Sequence, residues 1–229
     1  MRYIYLLIVL CSFSCNNERT LFLPEIENTE ITEVLDVSPA YLFYDETQPD
    51  SILLNRKNLI STTNWLVNVD KRLTLEQAIP KITLMQNKKR NAKMHKNEAA
   101  KNYFTCNTTD ISNLGFIEFT DVYFINESYN TYKVEQPLNE FGNKIIAEVN
   151  SLNDINLSID STTSDIKKTN LNQLVNAIYM LCESKEITDA TLILNLSKGL
   201  TFQDYISIKS TLLNLKAEKT SISKKEFIF

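Results

Sequence analysis

Thr191-Leu192-Ile193-Leu194-Asn195-Leu196-Ser197, and the loop that follows it into Thr201-Phe202-Gln203-Asp204-Tyr205, decide the fold class of this chain. Leu192, Leu194 and Leu196 share one parity, the period of two that suits a strand with one buried face. Thr201, with Asp204 three residues on, marks a helix start, and Tyr205, Ile208, Leu212 and Leu215 form the apolar stripe of that helix. Upstream, Ile155, Leu157 and Ile159 alternate with Asn156 and Ser158 as another strand. Asn170 then caps a helix whose Leu171, Leu174, Val175, Ile178, Leu181 and Cys182 lie on one face. Glu226-Phe227-Ile228-Phe229 ends the chain as a last strand. The order over residues 151–229 is βαβαβ. Helices with such stripes must cover a sheet face, so the expectation is an α+β fold with a two-layer module at the C-terminus.

Residues 38–126 repeat the theme less clearly. Trp65, Val67 and Val69 alternate with Leu66, Asn68 and Asp70, predicting a strand. Thr74 and Gln77 have capping-box spacing, and Leu75, Ala78, Ile79, Ile82 and Met85 fall on one helical face. Pro80 interrupts the pattern, so the helix either kinks there or begins there, where proline is welcome. Lys88, Lys89, Arg90, Lys93 and Lys96, with His95 among them, read as a solvated helix end that complements the helix dipole. The alternative for this run is contact with anionic headgroups or wall polymer. Tyr103 to Cys106 and the longer Gly115 to Ile125 complete a first α/β module. Residues 127–150, polar and carrying Pro137, are the expected connection between modules.

The N-terminus carries an address. Arg2 precedes an uncharged apolar run, Tyr3 to Cys11, about half the length needed to cross a bilayer; Ser12-Phe13-Ser14 then lead into Cys15. A basic start, a short apolar run and small residues are the marks of a secretory leader. The small residue directly before Cys15 resembles the lipobox of bacterial lipoproteins, although Phe13 departs from the small residue often found there. The resemblance implies removal of residues 1–14 and lipid attachment at Cys15. Residues 15–37, rich in Glu and Asp, then read as a polar tether. Acidic residues so soon after the cysteine resemble the export signals of Bacteroidota lipoproteins.

Composition excludes several classes of function. Three glycines leave nothing to build a phosphate-cradling loop, and a net charge of −4 lacks the basic stripe of a nucleic-acid binder. No cysteines have metal-ligand spacing, and no cofactor or metal site is expected. Once the leader is removed and Cys15 is lipidated, only Cys106 and Cys182 remain to pair. Cys182 sits on an apolar helix face, the usual place of an inert buried thiol. His95 is the single histidine, so a cysteine nucleophile would depend on it. The adjacent carboxylates Asp45 and Glu46 read as a solvated turn. No catalytic residue is expected.

Strand Asn156–Asp160, a helix, strand Thr191–Ser197, a loop into Asp204-Tyr205 and a further helix and strand resemble the periplasmic domain of ExbD/TolR biopolymer transport proteins. Trp65 to Asp70, followed by Leu73-Thr74-Leu75-Glu76, resembles the strand and helix that open the same domain. Motor members of that family carry a membrane-spanning helix with a buried aspartate; the apolar run here has no acidic residue, so proton translocation does not carry over. The expectation is an envelope lipoprotein held to a membrane through Cys15, the outer membrane before the inner. Its body would act as a non-catalytic accessory that docks onto an envelope protein complex or peptidoglycan, with self-association into a homodimer implied by the resemblance. The alternative is an outer-membrane ligand- or glycan-binding lipoprotein that uses Tyr41, Phe43, Tyr44 and Trp65 as a stacking surface.

Overall fold

Period-two segments with one apolar parity pair into sheets, and here they sort into two. The computed structural model describes residues 19–27, 29–92, 97–110, 113–135, 142–160, 162–215 and 220–229. The first sheet is built from β1 (Glu25–Ile26), β2 (Val37–Tyr44), β3 (Ile52–Asn55), β4 (Asn64–Val69), β5 (Asn102–Thr108) and β6 (Leu114–Glu118), with helix α1 (Leu75–Arg90) between β4 and β5. Its order is β1-β5-β4-β2-β3, with β6 on the other edge of β5. The second contains β7 (Tyr123–Ile125), helix α2 (Tyr129–Glu135), β8 (Asn143–Ser151), β9 (Asp154–Ile159), β10 (Thr162–Thr169), helix α3 (Leu174–Ser184), β11 (Ala190–Leu196), helix α4 (Phe202–Leu212) and β12 (Thr220–Ile228). Its strands run in the order β10-β9-β8-β11-β12-β7. The α+β class expected from the sequence is the class observed.

The two halves are built alike. Strand β2 turns into antiparallel β3 and pairs in parallel with β4; β8 turns into antiparallel β9 and pairs in parallel with β11. The registers agree, with Ala40 beside Val67 in one sheet and Ala147 beside Leu194 in the other. Each middle strand then feeds a capped helix and a further parallel strand, β5 or β12. Aligned at one spacing, β4–α1 and β11–α4 share Asn68 with Asn195, Lys71 with Lys198, Leu73 with Leu200, Thr74 with Thr201 and Ile79 with Ile206. From the sequence, the β4–α1 pair looked like the opening strand and helix of such a module; in the structure it corresponds to the closing pair, β11–α4.

These matching segments are also where the halves meet. Leu75 N donates to Leu200 O at 2.9 Å and Phe202 N to Leu73 O at 2.7 Å; Glu76 N donates to Lys198 O at 3.0 Å and Gln203 N to Lys71 O at 3.2 Å. Thr74 and Thr201 form a bridge at the centre. Matched residues thus exchange matched bonds, as across a two-fold axis. Around that axis Leu73, Leu75, Leu200, Phe202, Tyr205 and Phe104 belong to a single apolar core that runs through both halves. Each helix start at the junction has its capping box intact. A Thr201→Ala variant loses the bond from the Asp204 amide, and urea unfolding should show a loss of about 1–2 kcal/mol. No measurable change would mean that the cap does not hold the junction.

Three sequence expectations are corrected and one open alternative is settled. Gly115 to Ile125 is not one strand. It breaks at Phe119–Val122, where Val122 N turns back to Phe119 O at 3.1 Å, and β6 and β7 join different sheets. The single parity does not survive the break: β6 buries Gly115, Phe116 and Ile117 in succession, and in β7 Phe124 is buried while Tyr123 is exposed. The connection 127–150 is no linker. Ile145, Ala147 and Val149 of β8 are fully buried at the centre of the second sheet, and Tyr129 and Tyr132 of α2 pack on its outer face against Ile193 and Phe227. The second half is therefore longer than βαβαβ. The tether 15–37 is docked in part: Ile26 is buried, β1 pairs with β5, and Glu25 N donates to Gln203 Oε1 of the other half at 2.8 Å, while Leu35 is exposed. The helix over Pro80 begins at Leu75, with Pro80 exposed within it.

Candidate functional site

Cys15, the residue assigned to lipid attachment, lies outside the described residues, as do His95, Lys93 and Lys96. Cys106 and Cys182 are both buried and free, which ends the disulfide alternative. Burial pushes the Cys106 thiol up to about 12, far from a reactive thiolate. The acidic pair is divided between local tasks. Asp45 accepts from the Thr47 hydroxyl and amide, which hold its carboxyl below the usual range, and it also pairs with Arg19 at 3.3 Å; Glu46 accepts from Tyr44 at 3.2 Å. Among the described residues, no group of three or more His, Cys, Asp or Glu could hold a metal ion, and no helix is long and apolar enough to cross a membrane.

The four aromatics proposed as a stacking surface do not converge. In β2, Ala40 and Leu42 face the core, so Tyr41 and Phe43 stack with each other at 5.9 Å on the opposite face. Trp65 points inward with Val67 and Val69. Tyr44 lies under the Arg72 guanidinium, which is also 4.7 Å from the Phe22 ring. Arg72 in turn pairs with the fully buried Asp70 at 2.8 Å. Burial would raise that carboxyl, but bonds from Arg72 and from the Phe22 amide outweigh it and hold the group below its ordinary range. This knot ties the N-terminal segment to the β4–α1 loop.

One concave surface stands out. A groove of about 740 Å³ runs beside α1, lined by Leu59, Trp65 and Met85 with Arg56, Lys57, Lys88 and Lys89. That volume falls within the range of ordinary ligand sites. Arg56 and Lys57 leave β3, Lys88 and Lys89 end α1, and Trp65 forms the floor from β4. Arg56, Lys57 and Lys88 are exposed. No carboxylate appears among the described lining residues, and no ion pair with a described residue engages any of the four cations. Lys89 turns inward from the basic run. Its ammonium donates to Asn102 Oδ1 at 2.8 Å and to the Thr63 and Lys101 carbonyls at 3.2 Å, and it sits 4.6 Å from the Trp65 ring centroid. The solvated helix end expected from the sequence therefore holds for Lys88 and not for Lys89. Sequence reasoning passed over Arg56 and Lys57; their one signal was a second basic pair at the end of a strand.

Burial lowers the Lys89 ammonium from the ordinary 10.5 to about 8. Between those two pH values the unfolded chain binds more protons than the folded one, so the stability of the native protein rises with pH through that window. The urea midpoint should therefore move in favour of the native protein, relative to Lys89→Met, as pH is raised from 7 to 10. A difference that stays constant over this range would contradict the assignment.

No family model matches the chain, and neither a curated protein nor a solved structure is significantly similar to it.

Proposed function

We propose that this chain is a non-catalytic docking body of a bacterial envelope, lipid-anchored through Cys15, whose paired modules resemble the periplasmic domains of ExbD/TolR transport proteins. The observation that carries the reading is the exchange of matched bonds between the β4–α1 and β11–α4 corners, which joins two like modules in one core. Two modules fused through their helix starts give a rigid platform with fixed outer surfaces, a form suited to holding partners in register. The basic groove beside α1 supplies one surface with the depth and charge to receive something.

The test is recovery of the tagged full-length protein from lightly cross-linked envelopes, with Cys15→Ala as control. The expected result is a defined set of transport or cell-wall proteins that disappears in the control. Recovery of only lipid and bulk membrane protein would remove the docking reading and favour the ligand-binding alternative, which a glycan screen then addresses.

A further inference from the structure

The two modules differ in one respect that bears on the groove. In the second, the connection from β9 to β11 contains β10 and helix α3; in the first, β3 reaches β4 through Arg56–Thr63 alone. Helix α3 packs beside α4, the counterpart of α1, and buries Leu174, Ala177, Ile178, Leu181 and Cys182 in the core. Among the described residues the first module has no helix to place beside α1, and the groove opens there, lined by the short connection and by α1 itself. Trp65 and Met85 at the groove floor correspond to Leu192 and Leu212 of the second module; all four are core residues, and what differs is the open space above the first pair.

We propose that the groove beside α1 is a docking site for an acidic amphipathic helix of a partner protein, which takes the place that α3 fills in the second module. The proposal deepens the docking function above and rests on it. The shape argument comes from the chain's own second module: a helix with apolar residues at i, i+3, i+4, i+7 and i+8, as in α3, is what this sheet-and-helix corner packs against. The charge argument comes from the rim. Arg56, Lys57 and Lys88 stand exposed with no carboxylate partner among the described residues, so a helix with Glu or Asp on its flanks gains attraction and a fixed direction, while a basic one is repelled. Helix α3 itself carries few charges, which separates the partner sought from a second copy of this chain.

Trp65, the only tryptophan in the protein, lines the groove and reports occupancy directly. The probe is a synthetic amphipathic helix with leucine in the α3 pattern and glutamate on its flanks, titrated against the full-length protein. Saturable change in Trp65 emission is expected, weakening as salt rises. Arg56→Glu with Lys57→Glu should weaken binding about tenfold or more, and Arg56→Gln with Lys57→Gln by an intermediate factor. Both positions are exposed loop residues, and circular dichroism is the check that the variants fold. Equal binding by a scrambled peptide, by a lysine-flanked version, by a peptide of residues 1–14 or by phosphatidylglycerol vesicles overturns the proposal, as does the absence of binding. The envelope recovery separates this failure from that of the function. Partners retained equally by the Arg56→Glu/Lys57→Glu variant would leave the docking reading in place and move the site elsewhere.

Discussion

Glu226→Ala is expected to cost about 3–5 kcal/mol of folding stability, because it strips one partner from a buried ion pair. Glu226 is fully buried on β12; its Oε1 lies 2.6 Å from the Lys209 ammonium and its Oε2 accepts from the Tyr205 hydroxyl at 2.8 Å. Without the carboxylate, a nearly buried ammonium faces an apolar core and a buried hydroxyl loses its acceptor. The environment is already hostile to charge: burial first, and then the Glu226 carboxylate, push the Tyr205 phenol well above its ordinary value. The pair itself is a weaker source of stability than its loss suggests. The double variant Glu226→Leu/Lys209→Met removes both charges together and should recover most of the deficit, because it leaves no unpaired ion. Urea unfolding of the two singles and the double tests this. A Glu226→Ala loss below about 1 kcal/mol, or a double variant no better than the single, would contradict the account.

Phe202→Ala is the second large effect, again about 3–5 kcal/mol. Phe202 is the first residue of α4 and fully buried. Its ring meets the edge of Phe104, from β5 of the other module, at 5.1 Å, and Phe104 stacks on Phe119 at 3.7 Å. The backbone bond from Phe202 to Leu73 survives the substitution, so the loss isolates ring packing across the junction. Phe202→Leu keeps most of the apolar volume and should lose clearly less. Equal losses for Ala and Leu would show that shape across the junction is not what matters.

How far the sequence could be read is visible in these same residues. The α4 stripe, the Thr74 and Thr201 capping boxes and the alternation of β4, β9 and β11 depend on neighbours within a few positions, and all of them are legible without the fold. In the sequence Glu226 reads only as part of an apolar last strand, since its partners Tyr205 and Lys209 lie on the preceding helix and no local pattern announces a buried charge. Strand β8 has a readable alternation at Ile145, Ala147 and Val149, but Lys144 and Glu148 on its other face and the polar run before it made it look like linker. Lys89 was hidden among the cations of its own helix end, because only the packing of α1 against β4 decides which of them turns inward. The groove could not be foreseen at all, since it opens where the described residues of the first module place no counterpart of α3, which only comparison of the two modules reveals.

The two modules should unfold as one cooperative platform, and the chain contains a reporter for each. Cys106 lies buried in β5 of the first module and Cys182 buried in α3 of the second. Pulsed thiol labelling across a urea series, resolved by peptide mass, follows both at once in the full chain. A shared core and interlocked corners predict that both thiols become reactive at one midpoint, and that Phe202→Ala shifts the two together. Two separated midpoints, with Cys106 and Cys182 exposed independently, would contradict the platform and leave two modules merely tethered in one chain.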